Sequence, residues 1–517
     1  MDETLIARVS RSMFWNIAAF PLSMLLNAGA QVYLIRYLGT TRLNIFAILV
    51  AAINTITAYS SLGISRSLNR FLPEFKKAQN GVLKIQALLR TTFILRLSII
   101  TISIVILNLY SSFFIRYFEL GTEGPIYIKI ISIAVIFTGL YNLATYLLHS
   151  LFRQKEVNII ALIAAFIQPT LLITFILVGL DISGILLAIV LSNMVACALS
   201  WYWGIKALPS QKIKLTARKL WIETRTFLKR FFSYSSIVYL FDMSKYFRDL
   251  PFATIIILTF YFTSNTSAKL QVSFFFVGFK LVDSAIKFLT SASRGVFTPM
   301  TAEVYAEKNA EKLHKIFWNA SKFQVLICIP AAFGLMLLTP NLIPVLFKEA
   351  FAPSINIAYI LTAFLFLETL IAFPSIILLT YEKYRYIIIS RLIPILGIPL
   401  LIIGTRYWGG VGAAFCLGSL GIISRIVDNY FAISRFKLKY PFKFLFKIIA
   451  ASAIFTSILA LIRWKITISP YTLALLIVLG GIFFIIAFKM LGGFSQEEKE
   501  VIEKSSIPFK NIILKIT

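Results

Sequence analysis

The sequence predicts an all-α polytopic membrane protein of about fourteen transmembrane helices. Three observations carry that reading. Apolar runs of about 20 residues, long enough to cross a hydrocarbon core of about 30 Å, recur from one end of the chain to the other. Of 517 residues, 59% are hydrophobic and only 14% charged, against about 25% charged in soluble domains. The cations sit in the connectors between the apolar runs, which is the positive-inside pattern. A net charge of +29 laid out this way reads as membrane topology, and no nucleic-acid partner is expected.

In chain order the spans fall near residues 13–35, 45–66, 86–109, 126–149, 158–179, 184–206, 231–260, 267–290, 316–338, 355–380, 386–404, 410–433, 443–462 and 471–490. The start, MDETLIARVSRSMF, leads into the first span without a small-residue cleavage site, so no cleavable signal peptide is expected. Spans one and two carry Asn16, Asn27, Gln31 and Asn54 among apolar residues. Span three adds Arg90 and Arg96, which either join a cavity or snorkel to an interface. Cys197, Cys328 and Cys416 stand singly in later apolar runs and read as small core residues, not as a disulfide or metal framework. Span seven, within SSIVYLFDMSKYFRDLPFATIIIL, carries Asp242, Lys245, Arg248 and Asp249. Span eight carries Lys280, Asp283 and Lys287, with Arg294 beyond. Glu368 in span ten has no evident partner and reads as a buried structural carboxyl.

An even number of spans puts both termini on one side. Odd-numbered connectors hold few cations: Arg36 and Arg42, Arg116, Lys348, Arg406, and Arg463 with Lys465. Even-numbered ones are richer, as with Arg70, Lys76, Lys77 and Lys84, or the stretch 207–230. Both termini are therefore expected in the cytoplasm of a multi-pass protein of the cell membrane. The 207–230 connector, basic and amphipathic, is expected along the cytoplasmic leaflet. The extracytoplasmic connectors near 110–125 and 339–354 have room for a short helix at most.

A shift of 226 residues lays one half of the chain on the other and carries Pro73 to Pro299. The offset is even in span number, so the halves have the same orientation, as in parallel repeats with a site between them. The predicted organisation is a six-helix lobe over 1–206, a cytoplasmic basic connector over 207–230, a second six-helix lobe over 231–435, and two extra helices with a cytoplasmic tail over 436–517. The same shift relates Asp242 to Asn16, Asp249 to Ser23, Lys280 to Asn54 and Asp283 to Thr57. At about 100° per residue, Asp242, Lys245 and Asp249 share a narrow face with Arg248 beside it, and Lys280, Asp283 and Lys287 share another. Spans one, two, seven and eight thus each have one polar face, and four such faces most simply converge on a watered cavity.

A charge in hydrocarbon costs roughly 3 kcal/mol even on lenient scales, so intramembrane ionisable residues are functional candidates. Asp242–Lys245 and Lys245–Asp249 also have the spacing of intrahelical ion pairs. That alternative leaves Arg248 and Lys280 unexplained. Lys287, Arg294, Arg66 and Arg70, near cytoplasmic ends, are read equally as snorkelling.

The stretch YLGTTRLNIFAILVAAINTITAYSSLGISRSLNRFLPEF, with FRDLPFATIIILTFY, GGVGAAFCLG and FSQEEKEVIEKSSIP, resembles the oligosaccharide flippase (polysaccharide transporter) family of the multidrug/oligosaccharidyl-lipid/polysaccharide exporter superfamily. Asn44 stands where that family often has Gly. The resemblance implies a MATE-like fold of two lobes around a cavity that opens alternately to each side, and transport of polyprenyl-diphosphate-linked oligosaccharides to the outer leaflet. Residue chemistry agrees. Arg248, Lys280, Lys245 and Lys287 are cations for a diphosphate in a low-dielectric cleft. Asn16, Asn27, Asn54 and Gln31 can hydrogen-bond sugar hydroxyls. Asp242, Asp249 and Asp283 are read either as ion-pair partners or as sites for H⁺ or Na⁺ coupling, with no other cofactor expected.

Beside the lipid-linked substrate, the expected partners are membrane lipids and the glycan polymerase or glycosyltransferase machinery, with the protein itself a monomer. Two transport alternatives share the architecture: a peptidoglycan-precursor flippase, and a cation-coupled multidrug exporter, which would favour an acidic cavity. An enzyme is not expected, because the chain has only His149 and His314, no large extracytoplasmic loop and no phosphate-binding or metal-ligand motif. A passive scaffold would not need four polar faces.

Overall fold

A computed structural model describes residues 3–76, 81–151, 153–208, 224–236, 238–239, 254–255, 257–259, 269–285, 301, 304, 310–371, 373–381, 383–466, 468–496 and 499. Among these, every regular element is helical, and nine helices are long and apolar enough to cross a membrane. In chain order the helices are α1 (Glu3–Tyr59), α2 (Ile64–Lys76), α3 (Gly81–Leu109), α4 (Ser111–Tyr117), α5 (Gly124–Ser150), α6 (Gln154–Leu177) and α7 (Asp181–Lys206). Helical runs 224–236 (α8) and 269–285 (α9) follow. Then come α10 (Ala310–Phe347), α11 (Ser354–Leu370), α12 (Pro374–Thr380), α13 (Tyr384–Leu396), α14 (Ile398–Phe436), α15 (Phe442–Lys465) and α16 (Pro470–Met490). The chain divides into two compact units, Met1–Phe276 with Arg391–Leu417, and Val277–Ser390 with Gly418–Thr517.

In the first unit, α1 contains spans one and two, joined at Gly39, where φ is +62°; glycine accepts this left-handed conformation freely. Span two stops at Tyr59, not near 66 as predicted. Leu62 and Gly63 both have positive φ and turn the chain into α2. The apolar residues of α2 recur at helical spacing, so one stripe is buried: Ile64, Leu68, Phe71, Leu72 and Phe75 pack with Ile85 and Leu88 of α3, Leu143 and Leu147 of α5, and Phe227 and Phe231 of α8. Each such side chain contributes roughly 1.5–3 kcal/mol by leaving water. A Cβ on Gly63 would lie 2.3 Å from the Ser235 carbonyl oxygen, so α2 meets α8 at a distance open only to glycine. Residues 224–230, predicted as connector, are helical. Helix α5 packs against α1, α2, α3, α6 and α7. Ile94, Ile102, Phe166 and Leu177 on α3 and α6 are exposed, as suits lipid-facing sides.

In the second unit, α10 runs nine residues past the predicted end of span nine, with Pro340 and Pro344 inside it. Membrane helices tolerate such prolines where neighbours satisfy the freed backbone groups. Span ten is not continuous. It breaks into α11 and α12 ahead of Pro374, because a residue before proline is pushed out of the helical region. Helices α15 and α16, predicted outside the repeat, bury Phe455, Leu459, Leu473 and Leu476 with Leu338 of α10. Their other sides expose Leu461, Ile477 and Val478. Span eleven is likewise interrupted between α13 and α14, at Gly397, and α14 kinks again at Gly409, where φ is +56°. Cys197, Cys328 and Cys416 are buried, and none forms a disulfide among the described residues.

Candidate functional site

Of the predicted cavity residues, Asp242, Lys245, Arg248, Asp249 and Lys287 lie outside the described residues, as do Arg294 and the side chains of Asn16 and Arg66. Asn27 is exposed and donates to the Ser23 carbonyl at 2.8 Å. Asn54 is half-buried and donates to the Val50 carbonyl at 2.8 Å. Both amides thus bond one turn back on their own helix, and each keeps its side-chain oxygen as an acceptor. Gln31 is half-buried, and its Oε1 is enclosed without a hydrogen-bond donor among the described residues. Lys280 and Asp283 are half-buried, one turn apart on α9.

Arg96 neither lines an open cavity nor snorkels. It is 1% exposed, and its guanidinium donates to the Thr57 carbonyl at 3.2 Å and to Ser60 Oγ at 3.3 Å. Thr57 is among the last residues of α1, whose final carbonyls lack intrahelical partners. The cation therefore caps the C-terminal end of span two, the negative end of its dipole. Thr57, placed by pattern on the polar face, is buried in this knot.

Glu368 has a partner after all. Arg425 of α14, buried at 5% side-chain exposure, meets it at 2.9 Å through Nε and donates through Nη1 to Ser375 Oγ at 2.7 Å. The break between α11 and α12 is what separates Glu368 from Ser375 on the chain. One turn further along α14, buried Asp428 accepts from Ser390 Oγ at 2.5 Å, and Ser424 Oγ donates to the Ser390 carbonyl at 2.6 Å. The sequence held the signal for Arg425 and Asp428: two ionisable residues at i, i+3 within the apolar stretch GIISRIVDNYFAIS.

Residues 269–273 of α9 gather three turns of the first unit. Ser273 Oγ donates to the Thr40 carbonyl at 2.7 Å, Gln271 accepts from the Gly410 amide at 3.1 Å, and Lys269 pairs with Glu119. Those turns join spans one and two, eleven and twelve, and three and four. All three are odd-numbered connectors, expected from the cations of the sequence to share the extracytoplasmic side.

The chain matches solved transporter structures. The chain is similar to the structure of the lipid II flippase MurJ in an inward closed conformation, with TM-score 0.71 and 16% identity over 92% of this chain and 98% of that one. It is similar to an inward-facing multidrug resistance MATE family transporter of the MOP superfamily, with TM-score 0.62 and 16% identity over 80% and 94%. A MOP superfamily transporter from Pyrococcus furiosus, described by the reverse polarity of its binding pocket, matches with TM-score 0.54 and 16% identity over 84% and 95%. No curated protein matches the chain. These likenesses show a fold shared with such transporters. Within it, the chain belongs to the polysaccharide biosynthesis protein family, whose family model matches residues 34–356.

Proposed function

We propose that this protein is an alternating-access flippase that moves a polyprenyl-diphosphate-linked oligosaccharide from the cytoplasmic to the outer leaflet for surface-glycan assembly. The match of residues 34–356 to the polysaccharide biosynthesis family carries this reading, because it ties the transporter fold to glycan chemistry. Arg248 and Lys280 grip the diphosphate, with Lys245 and Lys287 beside them; Asn16, Asn27, Asn54 and Gln31 meet the sugars. Gln31 Oε1, enclosed without a donor, supports an acceptor role toward a hydroxyl. Asp242, Asp249 and Asp283 hold the cations in place or bind the H⁺ or Na⁺ that drives the cycle. The protein works as a monomer of two six-helix lobes in the cell membrane, both termini cytoplasmic, alongside a glycan polymerase or glycosyltransferases.

The likeness to the lipid II flippase structure favours a second reading, in which the cargo is a peptidoglycan precursor. Surface glycan is measured in cells lacking the native gene and supplied with the wild type or with Lys280→Ala, Arg248→Ala or both, at matched membrane levels. Export by the wild type with sharp loss in the double variant is the expected result. Arg248→Lys should restore only part, since it keeps charge but loses the fork. Full export by the double variant removes these residues from the site. Rescue of cells depleted of their lipid II flippase, without rescue of surface glycan, establishes the second reading.

A further inference from the structure

A cleft of about 430 Å³ opens in the second unit where α10, the end of α15 and the connector to α16 meet; Asn341, Ala460, Arg463, Trp464 and Ile468 line it. No carboxylate is among these five. Arg463 is held in place, because its Nη1 donates to the Leu337 carbonyl at 2.6 Å; a guanidinium has five N–H donors, so others remain for a ligand. The Asn341 side-chain oxygen is buried and accepts no hydrogen bond among the described residues, which is unfavourable unless something donates to it. The Trp464 ring is 87% exposed beside Arg463, as suits a residue at headgroup depth. The cation asymmetry assigns this connector to the extracytoplasmic side.

We propose that this cleft binds one phospholipid of the extracytoplasmic leaflet by its headgroup. Arg463 takes the phosphodiester in a charge-assisted hydrogen bond. Asn341 accepts from an N–H or O–H on the headgroup alcohol, so ethanolamine or glycerol fits and choline, which has no donor, does not. Trp464 covers the glycerol region. The bound lipid joins the α15–α16 hairpin to α10 at its extracytoplasmic end.

The full-length protein, stripped of lipid in detergent, is titrated with phosphatidylethanolamine, phosphatidylglycerol and phosphatidylcholine of identical acyl chains, and bound lipid is counted by native mass spectrometry. The expected result is at least fivefold higher occupancy for the first two than for phosphatidylcholine, with the ethanolamine and glycerol arms showing which alcohol is preferred. Arg463→Gln should bring both down to the phosphatidylcholine level. Asn341→Leu should erase the preference while leaving occupancy above that of Arg463→Gln. Trp464→Leu alters only an exposed ring and should lower occupancy at least twofold, a result available even if the other variants fail to fold. Equal occupancy of the three lipids, an unchanged preference in Asn341→Leu, unchanged occupancy in Trp464→Leu, or displacement of the lipid by inorganic phosphate at equal concentration would each overturn the proposal.

Discussion

Gln271 on α9 accepts a hydrogen bond from the backbone amide of Gly410 at 3.1 Å. The bond sits where α14 kinks, next to Gly409 with φ +56°. A Cβ on Gly409 would lie 2.9 Å from the same Gln271 oxygen, so the kink and the bond depend on each other. Residues 269 and 273 share one side of α9 and 271 the opposite side, which lets one stretch of helix hold three turns.

Replacing Gln271 by Leu should cost about 1–3 kcal/mol, because it strands a partly buried amide. Gly409→Ala should cost about 2 kcal/mol, from positive φ and crowding. The double variant should lose less than the sum of the two single losses, since both break one contact. Thermal melting in detergent of the single and double variants measures this; strict additivity would show the contact is not shared. Lys269→Ala, at a solvent-exposed pair, should change stability by less than about 1 kcal/mol.

Gly63→Ala should destabilise by about 2–4 kcal/mol, combining a left-handed backbone with a collision against α8. Gly121→Ala provides the control: φ is also positive, but a Cβ there meets nothing within 4 Å. It should lose only the backbone part, about 1 kcal/mol. Equal melting shifts for the two would mean that α2 and α8 do not touch at Gly63.

Arg96→Leu should shorten or fray the end of span two and cost about 3 kcal/mol, because the Thr57 carbonyl and the Ser60 hydroxyl lose their buried donor. Arg96→Lys should recover less than half, since an ammonium lacks the fork that reaches both. Hydrogen exchange over residues 56–63 reads this directly. Unchanged protection in Arg96→Leu would show that the guanidinium caps nothing.

Arg425→Leu should cost about 2 kcal/mol, below the roughly 3–5 kcal/mol of a fully buried broken pair, because the Glu368 side chain is 33% exposed. Glu368→Leu with Arg425→Leu should be more stable than Arg425→Leu alone, as the stranded carboxylate is gone. A double variant no better than the single one would mean the pair contributes little beyond packing.

The sequence by itself determined that the chain is a helical membrane protein, because span length and apolarity are properties of contiguous residues. It located the cysteines correctly in the buried interior, and it marked Glu368 and Arg96 as ionisable groups needing an account. Tertiary structure decided what accounts for them. Arg425 lies 57 residues from Glu368 and Thr57 lies 39 from Arg96; no local period links groups so far apart. Gln31, Asn54 and Thr57 were grouped by their polar character along spans one and two, yet Thr57 belongs to a buried knot. Helical spacing fixes which side of a helix a residue occupies, and the neighbouring helix decides whether that side meets water, lipid or a guanidinium. The ends of spans two and nine and the break in span ten were misplaced for a related reason. Hydropathy continues across these points, while the backbone turns at Gly63 to meet α8, breaks before Pro374, and carries on through Pro340 and Pro344.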